Sequence, residues 1–218
     1  QLQAEMSDGT IVSGESKIPE ARKRIRKMLM KPADAPASKG AVEAILKSDV
    51  LIFGPGSLYT SVIPNLLVEE IREAILQSDA VKIYVCNVMT QPGETDGYGA
   101  FEHVRALVDH MGKQFLDYVI VNDQKITTEQ LKQYYAEGSM PVTPDVEKIR
   151  KLGITVVPAS LISKDDLVRH EPRKLARALI MLIYRLRLFG KGVQFFDYIF
   201  MRHGLNTMDK DVRGNFKK

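Results

Sequence analysis

Between residues 41 and 158, short and mainly apolar runs alternate with segments of helical period, and no other feature of the chain constrains its fold as strongly. The apolar runs cover 50–53, 81–86, 118–121 and 154–158, and the intervening periodicity predicts helices over 41–46, 68–76, 101–111, 128–135 and 146–152. Strands that are apolar on both faces belong to a mostly parallel sheet covered by helices. The predicted fold class is therefore α/β, a Rossmann-like three-layer sandwich. Ligands of such sheets bind where loops leave the carboxyl ends of the strands, which directs attention to the loops after Phe53, Cys86 and Val121.

Outside this region the pattern changes. Residues 1–13 alternate apolar and polar side chains around Ser7-Asp8-Gly9, a hairpin signal. Residues 20–31 fit either a basic amphipathic helix or a strand before Pro32, and 32–40 read as a loop. A last helix is expected over 172–189, followed by the aromatic run Phe195, Phe196, Tyr198 and Phe200 and a polar tail from Asn206 that is expected to be mobile. The expected organisation is one α/β domain over 1–189 and an extension over 190–218.

A chain of 218 residues buries a substantial core as one large domain. Its single cysteine, Cys86, lies in an apolar run, has no intramolecular disulfide partner and reads as a small buried hydrophobe in a reducing, cytoplasmic compartment. No window of about 18 uncharged apolar residues exists, so no membrane span is expected. The chain starts at Gln1 without an initiator methionine or a signal-peptide pattern and reads as a piece of something longer. Net charge is +4, but residues 20–31 carry +5 and residues 169–218 carry +8, which leaves the remainder at −9. An acidic main body argues against a nucleic-acid protein and for local basic patches that serve a phosphate ligand or an acidic partner.

The segment Gly54-Pro55-Gly56-Ser57-Leu58-Tyr59-Thr60-Ser61 follows a predicted strand directly. Gly54 and Gly56 let backbone amides approach a ligand, and Ser57, Thr60 and Ser61 offer hydroxyl donors to phosphate oxygens; an ordinary tight turn is the plainer reading. A second loop, residues 87–97, presents Asn87, Thr90, Gln91 and Thr95 at the next strand end. Its Glu94 and Asp96 are possible magnesium contacts, although two acids in a loop are more often simply solvated. Arg169, beside His170, has the planar fork that suits a diphosphate, and Tyr134 with Tyr135 offers a stacking surface. His103 and His110 stand seven residues apart, too far for a zinc pair on one helix, and read as structural. No catalytic constellation stands out, so the sequence shows a binder more clearly than a catalyst.

These segments resemble the YvcK family of gluconeogenesis factors, which belongs with the CofD-like proteins. The resemblance runs from about residue 3 to 180 through Asp8-Gly9-Thr10, Ser13-Gly14-Glu15-Ser16-Lys17-Ile18-Pro19, the Gly54 to Leu67 segment ending Ile63-Pro64-Asn65-Leu66-Leu67, the stretch from Cys86 to Thr95, and Val168-Arg169-His170. It implies binding of UDP-N-acetylglucosamine and a role linking carbon supply to cell-wall precursor synthesis and cell shape. It also implies that Tyr134 and Arg169 hold the nucleotide sugar and that residues 22–30 form a strand. The family's amino-terminal glycine-rich Gly-Gly-Gly-Thr-Gly loop and Asp-Asp-Gly-Gly segment have no counterpart here, and the tail beyond about Arg185 extends past the family's usual end.

Three functions follow as expectations. The first is a non-catalytic UDP-sugar sensor that signals to a regulated enzyme, with a homodimer possible. The second is a CofD-like enzyme that transfers a phospholactyl group to a deazaflavin in the presence of magnesium. The third is a scaffold that binds an acidic protein through its basic patches.

Overall fold

The structure is a computed structural model that describes residues 1–163 and 168–189. Its elements run β1 (Leu2–Met6), β2 (Ile11–Ser13), α1 (Lys17–Glu20), β3 (Ile25–Met30), α2 (Ala41–Lys47) and β4 (Val50–Phe53). A π-helical turn (Leu58–Val62) leads into α3 (Ile63–Leu66), α4 (Glu69–Gln77), β5 (Val81–Val85), α5 (Ala100–Met111) and β6 (Tyr118–Asn122). The remaining elements are α6 (Thr128–Ala136), α7 (Val146–Arg150), β7 (Thr155–Ala159) and α8 (Pro172–Phe189). The chain divides into two compact units, Gln1–Arg169 and His170–Lys218. The extension over 190–218, with its expected mobile tail, lies outside the described residues.

Strands β4, β5, β6 and β7 form a parallel sheet in that spatial order, so the α/β expectation holds. In register, Ile52 faces Ile83, Tyr84 faces Val119, and Val121 faces Pro158. β5 is buried at every position, as a central strand covered on both faces must be. Its one charged residue, Lys82, turns its ammonium to the Ser78 carbonyl. The predicted amino-terminal hairpin is present, with Ala4 opposite Val12, but it is two strands of three. β3 pairs antiparallel with the other edge of β1, Ala4 opposite Met28.

That pairing decides the open reading of residues 20–31 in favour of a strand. Met28 is fully buried with Ala4 and Met6, and a helix there would leave that edge of β1 without hydrogen-bond partners. A single core cluster then joins both sheets: Ala4, Met6, Ile18 and Met28 from the small sheet and α1, Leu58, Ile63 and Leu66 from the π turn and α3, and Val104 and Leu107 from α5. Tyr84, Cys86, Val119 and Val121 of the β5 and β6 segments also belong to it; within each pair the residues are two apart and so share one face.

Cys86 is 1% exposed, as its apolar setting predicts, and burial pushes its thiol up to about 12. α5 starts where Gly99 donates its amide to the Glu102 carboxylate at 2.9 Å and stops at the left-handed Gly112. Among the described residues no helix is long and apolar enough to cross a membrane.

Candidate functional site

The loops after β4 and β5 leave neighbouring strands at the carboxyl edge of the parallel sheet and are tied to each other. The first turns at Gly54, whose φ of +79° suits glycine. A Cβ there would stand 3.0 Å from the Val85 carbonyl oxygen, so the loop lies directly on the β5 backbone. Gly56 needs no positive φ, and a Cβ on it would make ordinary contact with Ser61 at 3.5 Å.

Beyond Gly56 the sequence reading saw only a loop, whereas the chain coils at once. The Ser57 carbonyl accepts from both Ser61 N at 2.9 Å and Val62 N at 3.0 Å, which opens the first turn to π width. Burial of Leu58, Tyr59 and Val62 on the core side stabilises it.

The second loop is closed by the fully buried Thr95, whose hydroxyl accepts the Gln91 amide at 2.8 Å. Thr90 is equally occupied, because its Oγ1 accepts from Met140 N at 2.8 Å and its own amide donates to the Met140 carbonyl at 2.7 Å. Both threonines, singled out as ligand donors, thus have their hydroxyls engaged in shaping the loop. Gly93 lies so close to α1 that a Cβ on it would overlap the Pro19 carbonyl, which joins this loop to the small sheet's connection.

Three hydrogen bonds brace one loop against the other. Gln91 Nε2 donates to Ser57 Oγ at 2.8 Å, Thr60 Oγ1 donates to Glu94 Oε1 at 3.0 Å, and Tyr59 N donates to Glu94 Oε2 at 3.3 Å. Glu94 is therefore not a solvated loop acid. It is 6% exposed, and burial raises its pKa above the ordinary 4.5. Residues 54–61 and 87–97 contain no lysine or arginine, so a carboxylate buried among them is met by hydroxyl and amide donors. That absence of cations was the available signal for Glu94, which sequence reasoning passed over. Asp96 is exposed and accepts from Gly93 N at 2.7 Å. A cleft of about 420 Å³ opens beside this brace, lined by Glu15, Ser16, Pro19, Thr60 and Glu94. A second, of about 510 Å³, runs along the other side of the first loop past Phe53, Gly54, Pro55 and Ser61.

Two side-chain oxygens of the second loop, Asn87 Oδ1 and Gln91 Oε1, are buried and have no hydrogen-bond partner. An unmet acceptor inside a protein costs about 1–3 kcal/mol, so each of the two would gain from a donor brought within its reach. Tyr134 and Arg169, far apart in sequence, are brought to one place: the Tyr134 hydroxyl accepts Val168 N at 2.8 Å, one residue before Arg169. Tyr134 and Val168 pack with Val88 and Met89 of the second loop. Arg169 is exposed and Tyr135 is 47% exposed, while Ser61 faces solvent.

The two histidines of α5 are structural, as their spacing predicted. Each Nδ1 faces the carbonyl four residues back, Gly99 O at 2.8 Å for His103 and Ala106 O at 2.7 Å for His110. His110 Nε2 also accepts Met28 N at 2.9 Å, which fixes its neutral Nδ1–H tautomer and links α5 to β3.

The family model described as 2-phospho-L-lactate transferase CofD matches residues 1–162 of this chain. The chain belongs to the CofD-like family. Within it the relatives are gluconeogenesis factors, the YvcK branch. One from Halalkalibacterium halodurans is 46% identical over 180 residues, covering 82% of this chain and 56% of the relative. One from Bacillus subtilis is 43% identical over 183 residues, covering 84% and 58%. A putative gluconeogenesis factor of Clostridium acetobutylicum is 38% identical over 222 residues, 98% of this chain and 49% of its own length. Two crystal structures of a Bacillus halodurans protein, one described as a member of the UPF0052 family, superpose with a TM-score of 0.79 at 45% and 46% identity, covering 82% of this chain and 58% of theirs. The chain thus spans about half the length of the CofD-like relatives it matches.

Proposed function

We propose that this chain carries part of a nucleotide-sugar site, for UDP-N-acetylglucosamine, in a cytoplasmic regulator that links carbon metabolism to cell-wall precursor synthesis and cell shape, acting on an enzyme partner and without turnover of its own. The observation that carries the reading is the pair of orphaned acceptors, Asn87 Oδ1 and Gln91 Oε1, at the braced loops. Sugar hydroxyls and the N–H of a pyrimidine ring are donors of the kind these oxygens lack. The loops hold no cation, so they suit the neutral parts of the ligand. Arg169, exposed next to the Tyr134 anchor, is the side chain assigned to the diphosphate. Of the first loop, Thr60 lines one cleft and Gly54 and Ser61 line the other; Gly56 and Ser57 lie between them in sequence, and Thr90 and Thr95 hold the second loop in shape.

The second reading, a phospholactate transferase acting on a deazaflavin, is favoured by the description of the matching family model. Its magnesium ion does not suit the acids of the second loop, since both Glu94 oxygens already accept hydrogen bonds and Asp96 closes its own turn.

Calorimetric titration of the full-length protein that contains this chain with UDP-N-acetylglucosamine and with GDP separates the readings. Heat with the UDP-sugar and none with GDP is the expected result. Tighter binding of GDP would replace the sensor with the transferase. Silence with both, together with retention on an acidic protein, would leave the scaffold reading.

A further inference from the structure

The outward face of α8 carries an uncommon combination of side chains. Successive turns of one stripe present Ile180, Tyr184 and Leu188, which are 64%, 60% and 56% exposed. Their spacing of four residues keeps them in line on a helix of 3.6 residues per turn. Leu175, Ala178 and Leu182, about half a turn away, are buried. The helix is therefore apolar on two sides, and among the described residues only one is covered.

Around the exposed stripe stand Arg173 and Arg177 at its amino end and Arg187 at its carboxyl end. None of the three pairs with a carboxylate among the described residues. From Pro172 to Phe189 there is no aspartate or glutamate, against five arginines and lysines. The acid that precedes the helix, Glu171, is spent on capping: its two oxygens accept Arg173 N at 3.1 Å and Lys174 N at 2.9 Å.

We propose that this face of α8 docks on an anionic lipid surface. A stripe one residue wide, framed by arginines whose alkyl stems can lie beside it while the guanidinium groups reach outward, fits the boundary between acyl chains and phosphate headgroups. A second copy of this chain is disfavoured, because a two-fold contact through the same stripe would set cation against cation with no acid between them. Sequence beyond the helix favours lipid over an acidic protein. It continues with Phe195, Phe196, Tyr198, Ile199, Phe200 and Met201 between Lys191 and Arg202, with Asp197 the one acid among them, an aromatic-rich and net basic composition of the kind interfacial segments have. Docking is superficial and reversible and needs no membrane span.

The chain contains no tryptophan, so Tyr184→Trp supplies a single reporter at the centre of the stripe. Mixed with vesicles of phosphatidylglycerol and phosphatidylcholine, this variant should blue-shift its emission and co-sediment with lipid. With pure phosphatidylcholine, or in high salt, it should do neither. Replacing Arg173, Arg177 or Arg187 by alanine should lower the vesicle partition coefficient about fivefold each, and Ile180→Asp should abolish the shift while the circular-dichroism melting curve stays unchanged. UDP-N-acetylglucosamine titration is unaffected by these variants, so failure here and failure of the functional reading are separable. Equal binding to neutral vesicles would overturn the proposal. So would absence of binding by monodisperse protein, including the case in which a polyglutamate peptide shifts the emission of the tryptophan reporter and vesicles do not.

Discussion

At the scale of single residues, the site is defined by which polar atoms are already engaged. Asn87 Oδ1 lacks a partner, whereas the hydroxyls of Thr90 and Thr95 each take a backbone amide. Asn87→Ala should weaken UDP-N-acetylglucosamine binding by about 1 kcal/mol, the worth of one neutral hydrogen bond. Because that oxygen is unsatisfied in the free protein, urea unfolding should show no loss of stability; a loss as large as the affinity change would make Asn87 a folding residue. Arg169→Ala should cost more affinity, about 1.5–3 kcal/mol, since its partner would be charged. Arg169 is exposed, so its melting temperature should hold, and wild-type affinity would remove it from the site. The glycines divide in the same way. Gly54→Ala must adopt a φ of +79° with its Cβ 3.0 Å from the Val85 carbonyl and should destabilise by about 1–2 kcal/mol or more. Gly56→Ala has room and should stay within about 0.5 kcal/mol, an ordering that urea midpoints will test.

At the scale of elements, α5 couples the site's sheet to the small one through His110, whose Nε2 accepts Met28 N. Burial lowers the pKa of both His103 and His110 below the ordinary 6.5. A depressed folded pKa means that the unfolded chain binds the proton first. The stability from the two neutral rings is therefore complete above the unfolded value of 6.5 and is lost as pH falls below it. Protonation of His110 would also remove the acceptor for Met28 N. Glu94, with a raised folded pKa, acts in the opposite sense: its contribution is full below 4.5 and falls away as pH rises through the folded value. Urea unfolding from pH 7.5 to 5 should thus show falling stability, with a shallower slope in His110→Gln. An unchanged slope in the variant would mean that His110 is not one of the groups responsible.

For the whole described unit Gln1–Arg169, the decisive fact is one core cluster that spans both sheets. Met28 is fully buried in it although it belongs to β3 of the small sheet. Met28→Ala should cost about 2–5 kcal/mol, and near-ultraviolet circular dichroism and hydrogen exchange of β5 amides should lose structure in one transition. Two separate transitions would show that the small sheet is an independent lobe. Such coupling also bears on the site, because the cleft beside Glu94 is lined from one side by Glu15, Ser16 and Pro19 of the small sheet's connection.

Local periodicity determined the four parallel strands and the helices α2 and α4 to α7, though not the π turn and α3, because apolar runs and helical spacing are properties of neighbouring residues. It also placed the two loops at the carboxyl edge, since a parallel sheet puts successive βα loops at one end. What only the tertiary structure decided depends on contacts between residues distant in sequence. Residues 25–30 became a strand because β1 had a free edge to fill. Glu94, outwardly an ordinary loop acid, became the brace between the loops because Tyr59 and Thr60 arrive beside it from 35 and 34 residues away. Thr90 and Thr95, whose hydroxyls nothing in the local sequence pairs, became acceptors for the Met140 and Gln91 amides. Asn87 and Gln91 were left with unmet oxygens. A sequence shows which groups can form hydrogen bonds, but only the folded chain decides which of them remain without a partner.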